Sequence, residues 1–574
     1  MPIGDSAEAI EPLPERGCSD RNQLALDLLH GKRYYESEKK ITSGALLSGM
    51  NTFDFIVIGA GSAGCVVASR LSEDPKTSVL LLEAGPPDTF PAIHDPLIPA
   101  IFETWANLAI AHPYYTTKHH SSARHWRSMY RGVTLGGSSA INGMIYVRGN
   151  QRDFDLWQDF GNPDWNYETV LPYFKNSEDY AGVANHYHAS GGPLHVRKLI
   201  SPSHAAETFI RAAQELAFRG PPWDFNGECQ EGGADFYDVT VTEYGTRASA
   251  AVAFLHRVRF DRPNLFIKTN SQAIKLLINK SGGSELTIEG VRCLEGGITI
   301  DYRCRRELIV SGGALESPKL LMLSGIGAAD DLRRAGIDSA LDLPGVGKNL
   351  RDHLLLLLYY KARKPVGTAK FIAEAGLFTR LHPNAPSVTL DLNGWPNLQY
   401  HFTGTIPYFT PPGIPADNCI FAPTLVQPRS RGQVQLTSSD PRHPLLIDPG
   451  YLTDEHDLAV LVHSIELTRE LAETRAFKNV CDACCTPFLP PVNAPRPDYN
   501  RFVQQWAQTV WHPVGSCKMG PESDPKAVVD AKLRVHGTRN LRVADASIMP
   551  QITTGNTNAP TIMIGERAAR FVLK

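Results

Sequence analysis

The chain has 574 residues, with 57 basic and 60 acidic side chains and a formal net charge of −3. Its length exceeds one typical domain, and the near balance of charge without a basic run excludes the usual footprint of a nucleic-acid-binding protein. No run of about 18 apolar residues is present, so we expect no integral membrane segment. The 10 cysteines are scattered, which favours a reducing compartment, and we expect a cytoplasmic protein.

Residues 1–50 differ in character from the rest of the chain. They are polar, acidic and contain prolines, and they lack the basic stretch followed by an apolar stretch that marks a secretory signal. We expect an N-terminal extension, partly disordered and without a chemical role.

The strongest pattern in the chain lies between residues 53 and 85. A short apolar run rich in β-branched residues, 53–58, predicts a buried strand. A glycine-rich turn, a helix over 63–71 and a second apolar strand over 78–82 follow in that order. A strand–turn–helix–strand unit is the setting in which a G-x-G-x-x-G motif binds a dinucleotide.

Each residue type in that turn has a physical role. Gly59 allows the tight turn, Gly61 lets backbone approach a pyrophosphate, and Gly64 lets helix and strand pack closely. The helix N-terminus offers unpaired N–H groups and a positive dipole end to phosphates. Glu83 ends the second strand, where a carboxylate accepts ribose hydroxyls; this disfavours NADP but leaves FAD and NAD open. The predicted dinucleotide contacts are Gly59, Gly61, Ser62, Ala63, Gly64, Glu83 and Ala84.

Two other clusters resemble metal sites only at first sight. His119, His120 and His125 lie in a Pro-rich stretch, 86–124 and just beyond, where we expect irregular structure. No cysteine or carboxylate is spaced to complete a site with them. The C-x-x-C-C at 481–485 has no matching pair elsewhere, so we expect unpaired cysteines and no metal.

A second glycine-rich stretch, 132–149, contains Gly-Gly-Ser-Ser, which does not suit a packed helix start. It suits a backbone that runs close to a flat ligand, with Asn142 as a polar contact. The stretch resembles the first signature of the glucose-methanol-choline (GMC) flavoprotein oxidoreductases, which usually has Arg or Lys where this chain has Val133; Arg131 lies nearby. The resemblance implies FAD contacts from Gly136, Gly137, Ser138, Asn142, Gly143, Met144 and Ile145, with Ala273 facing the adenine.

The resemblance continues at other points of the chain. Some family members attach FAD covalently through a His near the first signature; Ile141 occupies that position, which implies non-covalent FAD. Residues 313–327 resemble the second GMC signature, with Pro318 predicted at the first position of a helix that Gly325 ends. Residues 345–353 also resemble the corresponding segment of the family, and we interpret His353, at the end of this segment, as structural rather than catalytic.

The remaining stretches give a coarse reading of secondary structure. From residue 152 we expect a loop, followed by an amphipathic helix that begins at Tyr167. The other elements expected before residue 350 are a helix over 246–254, strands over 265–269, 272–279 and 308–310, and an alternating β-meander over 285–306. After residue 353 we expect an antiparallel sheet from 354–360, 397–401 and 433–436, and an amphipathic helix over 457–473. The short, Pro-interrupted segment 363–393 falls where the family has its substrate-access loops.

Together, patterns and resemblance predict an α/β protein. We expect a Rossmann-like FAD-binding domain, discontinuous in sequence, and a substrate domain in which helices back an antiparallel sheet. The assigned ranges are 1–50 for the extension, 51–350 for the FAD-binding domain, 351–505 for the substrate-binding domain and 506–574 for a return segment that completes the FAD domain and the active site.

The segment 511–520 resembles the family's catalytic-His segment. Oxidising an alcohol removes a hydride, which goes to flavin N5, and a hydroxyl proton, which requires a base such as His512. Asn556 cannot titrate but can hold and orient the substrate oxygen. The resemblance implies further FAD contacts from Trp511, Asp545, Ala546 and Thr557, while plain core packing remains an equal interpretation of Trp511.

The leading hypothesis is a choline dehydrogenase-like, FAD-dependent alcohol oxidase or dehydrogenase. Its partners would be a small alcohol, most simply a neutral primary one, and O2 or another electron acceptor. A choline-like cation would require an acid and an aromatic cage that the sequence does not locate. The alternatives are a hydroxynitrile lyase-type lyase, a non-catalytic flavin-binding protein, and a light-driven fatty-acid decarboxylase, a branch that looks to lack the His that this chain has at His512.

Overall fold

The computed structural model describes residues 51–117, 127–280, 285–363, 366–382, 390–406, 411 and 413–574. The extension 1–50, the cluster His119, His120 and His125, and part of the segment 363–393 lie outside these described residues. Residues Thr52–Lys574 form one unit.

The predicted dinucleotide unit lies in a sheet of eight described strands, here called the first sheet. Its strand Thr52–Ile58 lies between Val79–Leu82 and Ile298–Val310 and is parallel to both. Parallel strands covered on both faces read as continuous apolar runs, which explains why these segments show no alternation. The other strands of this sheet are Leu265–Lys268, Gln272–Asn279, Leu286–Glu295, Thr538–Arg539 and Leu541–Val543.

The last part of the chain returns to the first sheet. Leu541–Val543 adds to it in parallel, and the helix Asn558–Leu573 packs against the helix Ser62–Leu71. Arg70 joins the two helices through a salt bridge to Glu566, with Nη2 and Oε1 2.8 Å apart. Segments from opposite ends of the described chain therefore share one layer.

A second sheet of nine described strands has only antiparallel pairs among them. Helices His204–Glu215 and Glu455–Glu473 pack against it, with Phe209 and Phe402 stacked 4.6 Å apart in the shared core. This arrangement confirms the expected antiparallel sheet backed by helices. Its strands are Ala234–Phe236, Leu354–Leu355, Leu358–Ala362, Ala375–Leu381, Leu390–Asp391, Leu398–Thr403, Asn418–Leu425, Cys481–Cys484 and Gln508–Thr509.

Shorter elements complete the described fold. The further helices and helical turns are Pro91–Ile93, Ile98–Ala106, Gly137–Ala140, Gln151–Asp159, Tyr167–Ser177, Ala251–His256, Gly313–Leu323, Ala329–Arg334, Arg475–Lys478, Arg496–Trp506 and Ala546–Ile548. Four small sheets are formed by Ala111–Tyr115 with Ser128–Gly132; Ile145–Tyr146, Glu178–Tyr180, Leu194–Lys198 and Asp238–Val239; Ile326–Gly327 with Leu341–Asp342; and Lys348–Leu350, Gly432–Gln435 and Leu446–Asp448.

Two helices occupy segments that the sequence predicts to be irregular. The helix Gln151–Asp159 stands where a loop is expected, and Asn150 starts it with a capping box: its side chain accepts from Arg152 N while Asp153 accepts from Asn150 N. The helix Ile98–Ala106 forms within the Pro-rich stretch. It can contain a proline because that proline stands in the first turn, where no backbone N–H is required. Both predictions were wrong because the start signals were overlooked.

The helix of the second signature begins earlier than expected. It spans Gly313–Leu323, so Pro318 lies inside it rather than at its first position. The carbonyl of Ala314, which Pro318 cannot satisfy, accepts from Ser516 Oγ at 2.5 Å instead. The predicted end is confirmed: Gly325 follows the helix with φ of +83°.

Other boundaries shift by local irregularity. The segment expected to be helical over 246–254 has its helix at Ala251–His256, and the strand expected over 354–360 is divided in two. The segment around 433–436 pairs in a small separate sheet and not in the second sheet, so that prediction was wrong.

Among the residues that the structure describes, none of the helices combines the length and apolar character that a membrane crossing requires.

Candidate active site

A cavity of about 1590 Å³ joins the predicted site residues. All of them line it except Gly64 and Gly136. A Cβ on Gly64 would lie 1.8 Å from the carbonyl oxygen of Gly59, so Gly64 acts in close helix–strand packing, as predicted. Gly136 has φ of +88° and donates its N–H to Ala60 O at 2.8 Å, which places it in the wall behind the cavity.

One end of the cavity has the form of a dinucleotide site. A Cβ on Gly61 would meet no protein atom within 4 Å, so the space beside this backbone is open. The helix that starts at Ser62 has no side-chain cap, which leaves its N-terminal N–H groups for an anion. Glu83 accepts from Ala60 N at 2.8 Å and Gly85 N at 3.0 Å, and burial raises its pKa to about 7.

A second helix N-terminus lines the same cavity. The helix Asn558–Leu573 starts after Thr557 without a side-chain cap, and Ser62 Oγ donates to Asn558 Oδ1 at 2.7 Å. Asp545 faces this region, but its Oδ2 accepts from Gly313 N and Ser317 Oγ. We conclude that Asp545 fixes the loop, and that two free helix ends offer N–H groups and positive dipole ends to a bound group.

The loop Asn142–Ile145 is held by a residue that sequence reasoning missed. Buried Arg247 donates through Nη1 to the backbone oxygen of Asn142 at 2.7 Å and to its side-chain Oδ1 at 2.9 Å. Met144 N also donates to that Oδ1, at 3.0 Å, with Met144 in the left-handed region at φ of +61°. The acceptor of the Asn142 amide is thus occupied by protein, and its Nδ2 is left to donate into the cavity.

His512 and His353 face each other at the centre of the cavity. Segments 351–355 and 508–514 pair in antiparallel fashion, which brings the Nδ1 atoms of the two rings to 3.1 Å. His353 Nε2 lies 3.1 Å from the carbonyl oxygen of Val426. A carbonyl can only accept, so His353 carries its proton on Nε2 and accepts at Nδ1. His512 therefore donates from Nδ1, and its Nε2 is the unprotonated nitrogen.

The protonation state of the two histidines follows from their surroundings. Burial, then the charges of His353, His401 and Arg131, lower the pKa of His512 well below its ordinary value. Burial lowers the pKa of His353 to about 3. Both rings are thus neutral near pH 7, and His512 is available as a base.

The backbone of His512 is anchored by a buried carboxylate. Asp352 accepts from His512 N at 2.8 Å and also from the hydroxyls of Tyr451 and Thr509. Burial raises the pKa of Asp352 to about 6. With these donors around it, Asp352 holds the His512 segment in place from behind the cavity wall.

The amide of Asn556 is oriented by a chain of hydrogen bonds. Tyr237 donates its hydroxyl to the backbone oxygen of Tyr400 at 2.6 Å, so it accepts from Gln399 Nε2 at 3.0 Å. The same Nε2 lies 3.4 Å from Asn556 Oδ1. Asn556 therefore points its Nδ2 at His512 Nε2, 3.5 Å away. A donor and an unprotonated nitrogen meet at one point of the cavity.

Trp511 forms part of the cavity wall. Its φ is +63°, its Nε1 donates to Ser128 O at 2.9 Å, and its backbone oxygen accepts from Arg131 Nη1 at 2.9 Å. Arg131 itself lines the cavity, and burial lowers its pKa. His401, also in the wall, donates from Nδ1 to Thr424, and burial lowers its pKa to about 4.

None of the described cysteines lines the cavity. In the described part of the chain, no group of His, Cys, Asp or Glu has the geometry to hold a metal ion. Cys481 and Cys419 are both free thiols, with their Sγ atoms 3.2 Å apart, while Cys484 is exposed.

The chain is similar to several known proteins over most of its length. Residues 53–355 and 428–565 match the N- and C-terminal models described as GMC oxidoreductase. An alcohol dehydrogenase [acceptor] of Pseudomonas putida is 38% identical over 91% of this chain and 96% of that protein. An oxygen-dependent choline dehydrogenase of Brucella anthropi is 36% identical over 91% and 95%. The solved pyridoxine 4-oxidase from Mesorbium loti superposes with a TM-score of 0.80, at 31% identity, over 90% of this chain and 98% of that one.

Proposed function

The chain belongs to the GMC oxidoreductase family, and we propose that it oxidises the CH–OH group of an alcohol, with His512 as general base and Asn556 as the group that orients the substrate oxygen. GMC oxidoreductases are FAD-dependent. The open space beside Gly61 and the two uncapped helix N-termini fit such a group.

The observation that carries the proposal is the pairing of His512 and Asn556. Hydrogen-bond partners on both sides set the unprotonated Nε2 of His512 and the Nδ2 donor of Asn556 at 3.5 Å from each other. An alcohol hydroxyl placed there donates its proton to His512 Nε2 and accepts from Asn556 Nδ2. Orientation of this kind reduces the entropy cost of reaching the reactive geometry.

The proton then has a defined position. As the hydroxyl oxygen loses its proton to His512 Nε2, Asn556 Nδ2 remains as donor to the oxygen on which charge develops. His353 Nδ1 continues to accept the hydrogen bond from His512 Nδ1. This contact holds the ring of His512 in place when that ring becomes doubly protonated. When bound, FAD supplies the hydride acceptor at its N5 atom.

We further propose that FAD binds without a covalent link. Ile141 is buried in the cavity wall, where the resemblance places the histidine of covalently linked members, and its apolar side chain offers no nucleophile. Denaturation and precipitation of the holoprotein should release all yellow colour into solution. Flavin retained on the precipitate contradicts this part of the proposal.

The experiment that tests the function is the visible spectrum of the purified holoprotein in the dark, without oxygen, while primary alcohols are added. Bleaching of the flavin band by an alcohol supports oxidation, and re-admission of air then separates an oxidase from a dehydrogenase with another acceptor. A flavin band that no alcohol bleaches contradicts the proposal and favours a non-redox lyase or a light-driven enzyme.

A further inference from the structure

We infer that the substrate is a neutral alcohol with an apolar body, and that a quaternary ammonium such as choline is excluded. This inference rests on the proposed alcohol oxidation and concerns the part of the cavity that extends from His512 and Asn556 away from the nucleotide end. The walls, the charges and the aromatic rings of that part each bear on it.

The walls of this part are apolar. They include Phe102, Leu357, Ile372, Ile406 and Ile420, which also pack into one hydrophobic cluster beneath the surface of the cavity. A Cβ on Gly143 would lie 3.9 Å from Ile372 Cβ, which places this wall against the loop of the first signature. Burying an apolar substrate body against these walls is favourable because it removes apolar surface from water.

Three polar side chains along these walls already donate to protein oxygens. Trp105 Nε1 donates to the backbone oxygen of Ile141 at 2.8 Å, and Trp511 Nε1 donates to that of Ser128 at 2.9 Å. Thr403 Oγ1 donates to the backbone oxygen of Phe371 at 3.3 Å. These residues therefore offer ring and methyl surface to a ligand.

No free carboxylate faces this part of the cavity among the described lining residues. Glu83 and Asp545 belong to the nucleotide end and are held by backbone and hydroxyl donors. Glu316 accepts from the hydroxyl of Tyr114 and pairs with Lys319. Asp352 lies behind the wall with three protein donors. None of the internal residues outside the described part is Asp or Glu.

A positive charge in the cavity wall acts against a substrate cation. Arg131 lines the cavity, donates to the backbone oxygen of Trp511, and acts on His512 as a positive charge. Asp352, the acid that acts on Arg131 most strongly, lies behind the wall and accepts from three protein donors. A substrate cation would lose its hydration and meet the charge of Arg131 without direct contact to that carboxylate, which is costly in a buried site.

Among the residues that the structure describes, the aromatic rings beside Trp511 do not form a cation cage. Phe102 and Trp105 meet edge to face with centroids 5.2 Å apart, and Trp105 and Trp511 do so at 4.7 Å. The rings are in contact with one another, so they do not stand apart around a cation-sized space as an aromatic cage does. By this chemistry the site fits a neutral alcohol, unlike the choline that the Brucella anthropi relative's name specifies.

The test compares two alcohols of equal shape. Choline and 3,3-dimethylbutan-1-ol differ by a positive nitrogen in place of a carbon. In anaerobic reduction of the holoenzyme flavin, the neutral alcohol should have the higher kcat/KM by about a hundredfold or more. Equal values, or a preference for choline, would overturn the inference.

A binding measurement separates this inference from the proposed function. The neutral 2-phenylpropan-2-ol and the cation phenyltrimethylammonium cannot be oxidised, and either can be titrated by its effect on the flavin spectrum. The neutral ligand should bind at least about tenfold more tightly. This preference supports the neutral site even where no alcohol is oxidised; tighter binding of the cation refutes it whatever the reaction.

A designed carboxylate gives the matched control. Ile372→Glu places a negative charge in the wall, and Ile372→Gln has nearly the same shape without the charge. Relative to the Gln variant, the Glu variant should raise the ratio of choline to 3,3-dimethylbutan-1-ol kcat/KM by about tenfold. An unchanged ratio, with FAD absorbance and folding intact in both variants, means that charge does not select the substrate and contradicts the inference.

Discussion

His353 and His512 share one proton between their Nδ1 atoms, 3.1 Å apart, with the rings edge to face at 83°. The carbonyl of Val426 fixes the proton of His353 on the far nitrogen. This contact determines which nitrogen of His512 is unprotonated, and it assigns His353 a positioning role that its interpretation as a structural residue does not include.

Replacing His353 should affect catalysis through His512. In His353→Leu, His512 Nδ1 loses its acceptor and the ring can take the other tautomer, so we expect alcohol-dependent flavin reduction to fall about tenfold to a hundredfold. His353→Gln can accept at its side-chain oxygen and donate to Val426, and it should retain most of the rate. Stopped-flow reduction of the three proteins measures this; equal losses in Leu and Gln variants would indicate a packing role alone.

Replacing His512 should remove the base without removing the cofactor. We expect His512→Ala to keep the flavin absorbance and to reduce the rate of alcohol-dependent flavin reduction by about a hundredfold or more. Anaerobic single-turnover kinetics at a saturating alcohol concentration give the rate. A variant with the wild-type rate would remove His512 from the mechanism.

The pH dependence should reflect the lowered pKa of His512. Because burial favours its neutral form, the base is available at and above neutral pH, and the rate is lost only as pH falls through that lowered pKa. We expect flavin reduction to change by less than about twofold between pH 7 and 9. An apparent pKa above 7 for the rate would be inconsistent with this assignment.

Asp352 is the second group that can titrate near His512, with a pKa of about 6. Protonation of Asp352 would weaken the hydrogen bond that it accepts from His512 N. A decline in the rate of flavin reduction near pH 6 could therefore arise from Asp352 or from His512. In Asp352→Asn the decline disappears if it arises from the carboxylate and persists at lower pH if it arises from His512.

Two glycines of the first turn should respond differently to a methyl group. In Gly61→Ala the methyl meets no protein atom, so the fold should be retained while FAD affinity falls by about tenfold or more. In Gly64→Ala the methyl collides with Gly59 O, so the protein itself should be destabilised. Flavin titration and thermal unfolding of both variants distinguish them; FAD binding of wild-type strength in Gly61→Ala would contradict the dinucleotide site.

The dinucleotide unit could be predicted from sequence because its signals are local. Glycine spacing, apolar runs and the terminal Glu83 lie within one short stretch, and strand, turn and helix follow from them directly. The helix Gln151–Asp159 was missed although its signal is also local, because the Asn150 capping box was overlooked in a segment of mostly polar residues.

The contacts that orient the candidate site residues could not be predicted in this way. His353 and His512 are 159 residues apart, and Arg247 and Asn142 are 105 apart. Those pairs meet through strand pairing and packing of distant segments, which single-sequence patterns do not encode. The family resemblance located His512 and Asn556, but the partners that set their orientation emerge only from the three-dimensional fold.

The return of residues 506–574 to the first sheet has a consequence for biosynthesis. Leu541–Val543 and the helix Asn558–Leu573 complete the layer that begins at Thr52. During translation, the glycine-rich turn is synthesised before this strand and this helix, so the layer around the turn is complete only after both have emerged. A ribosome-bound nascent chain that lacks these segments offers the cofactor an incomplete site, so we expect flavin capture to follow their synthesis.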